Sequence, residues 1–133
     1  MRNDANFSEL VGKTLTKVTG EVSSDEMHFL CSDGSEYVLY HSQDCCEGVS
    51  VEDIAGDIAD IIGSPILVAD ESSSDKDPEG YKPESDYRES FTWTFYKIDT
   101  AKGGVTIRWL GESNGYYSES VDFRRETPPD TQS

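Results

Sequence analysis

Two apolar alternations in the last third of the chain constrain its fold more than any other feature. Phe91, Trp93 and Phe95 alternate with Thr92, Thr94 and Tyr96, and Val105, Ile107 and Trp109 alternate with Thr106 and Arg108. Successive side chains of a strand point to opposite faces, so both runs predict half-buried antiparallel strands. Gly103-Gly104 and Asn114-Gly115 predict the turns of a three-stranded meander whose third strand falls near 117–123. A Pro-rich tail at 126–133 is expected to be disordered.

The first third also reads as strands. Leu15 to Val22 is rich in Thr and Val, and Met27 to His41 predicts two strands joined at Ser32-Asp33-Gly34-Ser35, where Asp-Gly accepts the positive φ of a tight hairpin.

Between 50 and 63 the period changes. Val51, Ile54, Ala55, Ile58, Ile61 and Ile62 recur at steps of three and four, which predicts an amphipathic helix. Ser50 with Asp53 resembles a capping box, and Gly63 followed by Pro65 supplies a stop. On such a helix Asp53, Asp57 and Asp60 would line up as a carboxylate stripe toward solvent.

A short strand is expected over Pro65 to Ala69. Asp70 to Glu89, rich in Ser, Asp, Glu, Lys and Pro, then predicts a long mobile loop. The order strand-strand-strand-helix-strand-loop-strand-strand-strand gives an α+β class, a mainly antiparallel sheet with one packed amphipathic helix. The alternative is two small sheets flanking that helix. A length of 133 residues suits one such domain, over 1–125.

Charge narrows the partners. The net charge is −16, and fourteen acids face only Lys76, Lys82 and Arg88 between Asp44 and Glu89, a local net of −11. Such a field repels nucleic acid and anionic membranes. It leaves either a solvated acidic surface or a negative face for a basic partner, with Asp53, Asp57, Asp60, Asp70, Glu71, Asp75 and Asp77 as its candidate residues. No run approaches the roughly 18 apolar residues of a membrane span, and the start lacks the apolar stretch of a signal peptide, so a cytoplasmic protein is expected. Three cysteines, two of them adjacent, make a poor disulfide framework.

His41-Ser-Gln-Asp-Cys-Cys-Glu47 is the one polar cluster with ligand chemistry. Zinc could take His41 and Cys45 with Asp44 or Glu47. A thiol reading uses Cys45 or Cys46 with His41 as base. The plain alternative is buried cysteines, with the acids at a helix start and His41 bonded locally. No phosphate-loop, dinucleotide-loop or hydrolase motif occurs, so neither catalysis nor a cofactor is expected. Phe91, Trp93, Phe95 and Trp109 read as core, while stacking on a nucleotide held by Arg108, Arg124 or Arg125 is the alternative.

Four segments carry a resemblance: His41 to Glu47, Val51-Glu-Asp-Ile-Ala-Gly-Asp-Ile58, Phe91-Thr-Trp-Thr-Phe95 and Ile107-Arg-Trp-Leu110. With these the chain resembles a family of small uncharacterised bacteriophage and prophage proteins, a domain of unknown function. The resemblance implies host takeover or anti-defence in the host cytoplasm, by binding a host protein or sequestering a signalling nucleotide. It implies no catalytic residues.

Overall fold

The Asp33-Gly34 turn forms as expected: Gly34 takes φ +89°, and Asp33 Oδ1 accepts from the Ser35 amide at 2.8 Å. It joins β3 (Glu26–Cys31) to β4 (Glu36–Tyr40). The computed structural model describes residues 2–43, 46–83, 88–115 and 117–126, the Arg2 side chain aside. Its other strands are β1 (Arg2–Asp4), β2 (Leu15–Thr19), β5 (Gly48–Ala55), β6 (Ile66–Ser74), β7 (Ser90–Thr100), β8 (Gly103–Ser113) and β9 (Asp122–Glu126).

Two antiparallel sheets result. One has the order β1-β9-β4-β3-β2 and the other β5-β8-β7-β6. Their facing sides share one apolar cluster: Met27, Phe29, Tyr37, Leu39 and Phe123 come from the first sheet, and Val51, Ile66, Tyr96, Ile98, Ile107 and Trp109 from the second. Phe7, in a 3-10 turn at Phe7–Leu10, bridges them, with its ring 4.8 Å from Tyr96 and 5.2 Å from Phe123.

The architecture is therefore a β-sandwich, not the expected α+β domain with a packed helix. Among the described residues the only helical pieces are two 3-10 turns, Phe7–Leu10 and Ile58–Ile61. The apolar spacing at 51–62 has another cause. A bulge between Val51 and Asp53 adds one residue to β5, so Val51 and Ile54, three apart, both turn toward the core. Gly56 at φ +105° then ends the strand, and Ile58 and Ile61 share a face because a 3-10 turn repeats every three residues. A bulged strand followed by a 3-10 turn thus imitates helical periodicity. The predicted Ser50 cap is a strand residue, and Asp57 is the real cap, accepting from the Ala59 amide at 3.0 Å.

The meander is also corrected. β7 and β8 form the expected hairpin, turning at Ala101-Lys102, but β9 leaves that sheet and pairs with β1 and β4. Asp70–Ser74, read as the start of the loop, extends β6 instead. Of the expected tail at 126–133, Glu126 instead ends β9, and 127–133 lie outside the described residues.

Candidate functional site

In the β7–β8 register Thr94 lies opposite Trp109 and Trp93 opposite Leu110, so the two tryptophans face opposite sides of the sheet. Trp109 joins the inter-sheet core, whereas Trp93 is equally buried on the outer face. The segment at 75–83 covers it. Tyr81 packs edge-on at 4.7 Å, Asp77 Oδ1 accepts from Trp93 Nε1 at 3.0 Å, and the Arg108 guanidinium sits 5.1 Å from the indole. Arg88 lies 3.9 Å over the Phe91 ring and donates to Asp77 at 2.5 Å. That guanidinium, more than the Trp93 bond, holds the Asp77 carboxyl below its usual range. Tyr81, an aromatic inside a polar stretch, was the overlooked signal for this cover.

Beside it opens a cleft of about 770 Å³, bordered by Tyr81, Arg88, Glu89, Leu110, Glu112 and Tyr117 among others. A second hollow, a polar slot of about 450 Å³, lies where the inter-sheet core gives way to hydroxyls. Glu71 and Ser73 of β6, Thr92 and Thr94 of β7, and Ser118 to Ser120 line it. Buried Glu119 stands in this slot, accepting from Thr92 Oγ1 at 2.7 Å and Ser113 Oγ at 2.5 Å. Nothing in the sequence distinguished Glu119 from the other acids.

The acids proposed for binding divide. Asp53 sits on β5 and Asp57 caps a turn, while Asp60 packs against Gly103, so no stripe exists. Asp77 is committed to Arg88 and Trp93, and Arg108 to Glu52 at 2.6 Å. Asp70, Glu71 and Asp75 are exposed along β6 and just beyond it. Glu71 accepts from Tyr96 Oη at 2.7 Å, and burial with this bond pushes the Tyr96 phenol far above its usual range. The arginines invoked for a phosphate do not converge: Arg108 is on the second sheet, while Arg124 pairs with Asp4 on the first, next to Arg125.

At 41–47, Asp44 and Cys45 lie outside the described residues. Cys46 is disulfide-bonded, contrary to the expectation from the cysteine count, and Cys31 is free and buried. His41 Nδ1 meets the Ser120 carbonyl at 2.7 Å and Nε2 meets Glu47 Oε2 at 2.6 Å, with side chains 3% and 0% exposed. The Ser120 carbonyl can only accept, so Nδ1 carries a proton, and an ionised Glu47 takes a second from Nε2. Burial works against that charge, yet the bonds to Glu47 and Ser120 raise the His41 pKa. A ring so engaged offers no lone pair for zinc or for a general base. Among the described residues no group of three or more His, Cys, Asp or Glu could hold a metal.

A family model described as Domain of unknown function (DUF7448) matches residues 8–123. The chain belongs to that family. The DUF7448 match spans the chain from the first 3-10 turn to the start of β9, so it takes in the whole second sheet, β2 to β4 of the first and both hollows. No curated protein and no solved structure matches the chain. Among the described residues of this DUF7448 domain, no helix is long and apolar enough to cross a membrane.

Proposed function

We propose that the protein is a phage-encoded, non-enzymatic acidic binding protein that occupies a basic surface of a host defence or nucleic-acid-handling component, in the host cytoplasm, and so inhibits or sequesters it. The observation that carries this reading is the exposed acidic run on β6 and just after it. Asp70 and Asp75 have no basic partner among the described residues, and Glu71 meets only a neutral phenol. A surface already neutralised by its own lysines would present no field. Here the fixed carboxylates repeat the charge that a Lys/Arg surface meets on nucleic acid.

The test is recovery of partners from a bacterial lysate by the immobilised protein, with elution by duplex DNA. The expected result is a nucleic-acid-handling or defence protein that DNA displaces and that raising salt from about 50 to about 500 mM releases. Recovery unchanged by DNA, by salt and by Asp70→Lys with Asp75→Lys would refute the reading.

A second reading, retention of a nucleotide or other signal molecule, draws on the cleft of about 770 Å³ that Tyr81, Arg88 and Tyr117 border. Equilibrium dialysis against nucleotides tests it, with Arg88→Ala expected to abolish retention.

A further inference from the structure

The second sheet has two edges, and they are treated differently. On β5 the outward backbone groups of Val51 are taken: its carbonyl accepts from the Ser23 amide at 2.8 Å and its amide donates to the Ser24 carbonyl at 2.9 Å. On β6 the outward backbone is hydrogen-bonded only at the start, where the Ile66 amide donates to the Lys13 carbonyl at 2.9 Å and the Ile66 carbonyl accepts from the Gly12 amide at 2.8 Å. The 3-10 turn at Phe7–Leu10 packs beside the strand, with Asn6, Phe7 and Ser8 sharing a hollow with Ala69, Asp70 and Glu71. From Val68 to Ser74, among the described residues, β6 bonds only to β7 and has no backbone partner on its other side. Beyond the 3-10 turn the end of this edge strand has unpaired backbone groups, and such an edge is a template for another strand.

Directly inside this flank lies the polar slot. Glu71 and Ser73 share the inner face with their register partners Tyr96 and Thr94, and both line the slot together with Glu119. Asp70 points to the outer face, opposite Lys97, whose ammonium is 3.6 Å from Asp99. A strand laid along β6 would send alternate side chains to alternate faces. The residue opposite Glu71 would enter the slot between two carboxylates and a ring of hydroxyls, and its neighbour would meet Asp70 on the outside.

We propose that the β6 edge from Asp70 to Ser74 is a strand-addition site for an extended basic segment of a partner protein, with one Lys or Arg seated in the slot between Glu71 and Glu119. Backbone bonds to β6 supply the affinity and the slot supplies the selection. Charge complementarity names the occupant: a second copy of this chain would set the same acids against themselves. The proposal rests on the acidic-surface reading above and locates it on one strand.

The probe is an eight-residue synthetic peptide of threonine and valine around a central lysine-arginine pair, measured by fluorescence anisotropy. Two further versions are N-methylated on one or the other set of alternate backbone amides. The expected result is saturable binding that one methylated set abolishes and the other tolerates, with slowed amide exchange confined to 70–74. Glu71→Gln and Glu119→Gln should each weaken binding tenfold or more. Because Glu119 is buried, its variant counts only if it keeps the wild-type unfolding temperature, and Glu71→Gln, at an exposed position, carries the test otherwise. Binding that ignores both methylated sets would overturn strand addition while leaving the acidic surface standing. No peptide binding would also overturn it, with the lysate experiment deciding the surface reading separately. A dimer in sedimentation with 70–74 already protected would assign the edge to a second copy and refute the proposal.

Discussion

Trp93 and Trp109 lie on adjacent strands, one step out of register with each other, and bury their indoles on opposite faces of the same sheet. Trp109 belongs to the core between the sheets, and Trp93 to a smaller cluster under Tyr81, Asp77, Arg88 and Arg108. The two should therefore respond to different perturbations. Trp109→Ala is expected to cost about 3–5 kcal/mol in chemical denaturation, as for a large aromatic removed from a core. Tyr81→Ala should leave most of the stability and shift the Trp93 emission to the red, which fluorescence of the Trp109→Phe background isolates.

Acid should lift the cover before it unfolds the sandwich. Asp77 is held below its usual carboxylate range by Arg88 and by Trp93. A lowered folded-state pKa contributes stability that is present above the unfolded value and is lost as pH falls through the folded one. Trp93 emission is expected to move red below about pH 3.8, the ordinary Asp value, while far-ultraviolet circular dichroism holds. Asp77→Asn should show the red emission already at neutral pH.

The His41–Glu47 pair predicts the opposite slope. The His41 pKa is raised, so its contribution is complete below the ordinary value of 6.5 and fades as pH rises through the folded value. His41→Gln removes one member of a buried pair and is expected to cost about 3–5 kcal/mol at pH 5–6. Denaturation series across pH should show wild type and variant converging as the medium turns alkaline. A constant gap would contradict the pair's charge.

Gly56 ends β5 with φ +105°, and a Cβ there would lie 2.4 Å from the Gly104 carbonyl oxygen. Gly56→Ala is thus expected to destabilise by more than about 1 kcal/mol, since both the backbone angle and the space oppose it. Urea denaturation checks this.

Reversing charge on β6 should separate stability from binding. Asp70 and Asp75 are exposed and lack basic partners among the described residues, and the chain carries a net −16. Asp70→Lys with Asp75→Lys is expected to leave the unfolding free energy within about 0.5 kcal/mol per substitution, as surface changes do. The same variant should release the partner recovered from lysate.

Strands with plain alternation were legible in the sequence. β7 and β8 follow from their period of two, and the β3–β4 hairpin from the turn chemistry of Asp33-Gly34. Residues 51–62 were not, because local spacing cannot tell a helix from a bulged strand leading into a 3-10 turn: all repeat at three to four residues. Of the candidate site, Asp70, Glu71 and Asp75 are exposed, but Asp70 and Glu71 lie on β6 and not on the expected loop. The commitment of Asp77 and Arg108 to internal ion pairs had no sequence signal, for their partners Arg88 and Glu52 lie far along the chain or on another strand.

The sequence by itself determined that the alternating runs at 91–96 and 105–109 extend, where the tight hairpin turns, and that negative charge gathers between 44 and 89, since each depends on neighbours within a few residues. Only the tertiary structure decided that β9 crosses to the other sheet, that the 75–83 segment lies down on Trp93, and that Glu71 and Glu119 share one slot. Those outcomes depend on which apolar faces meet and which polar groups find partners across distant parts of the chain. Such long-range matching leaves no periodic trace along the sequence.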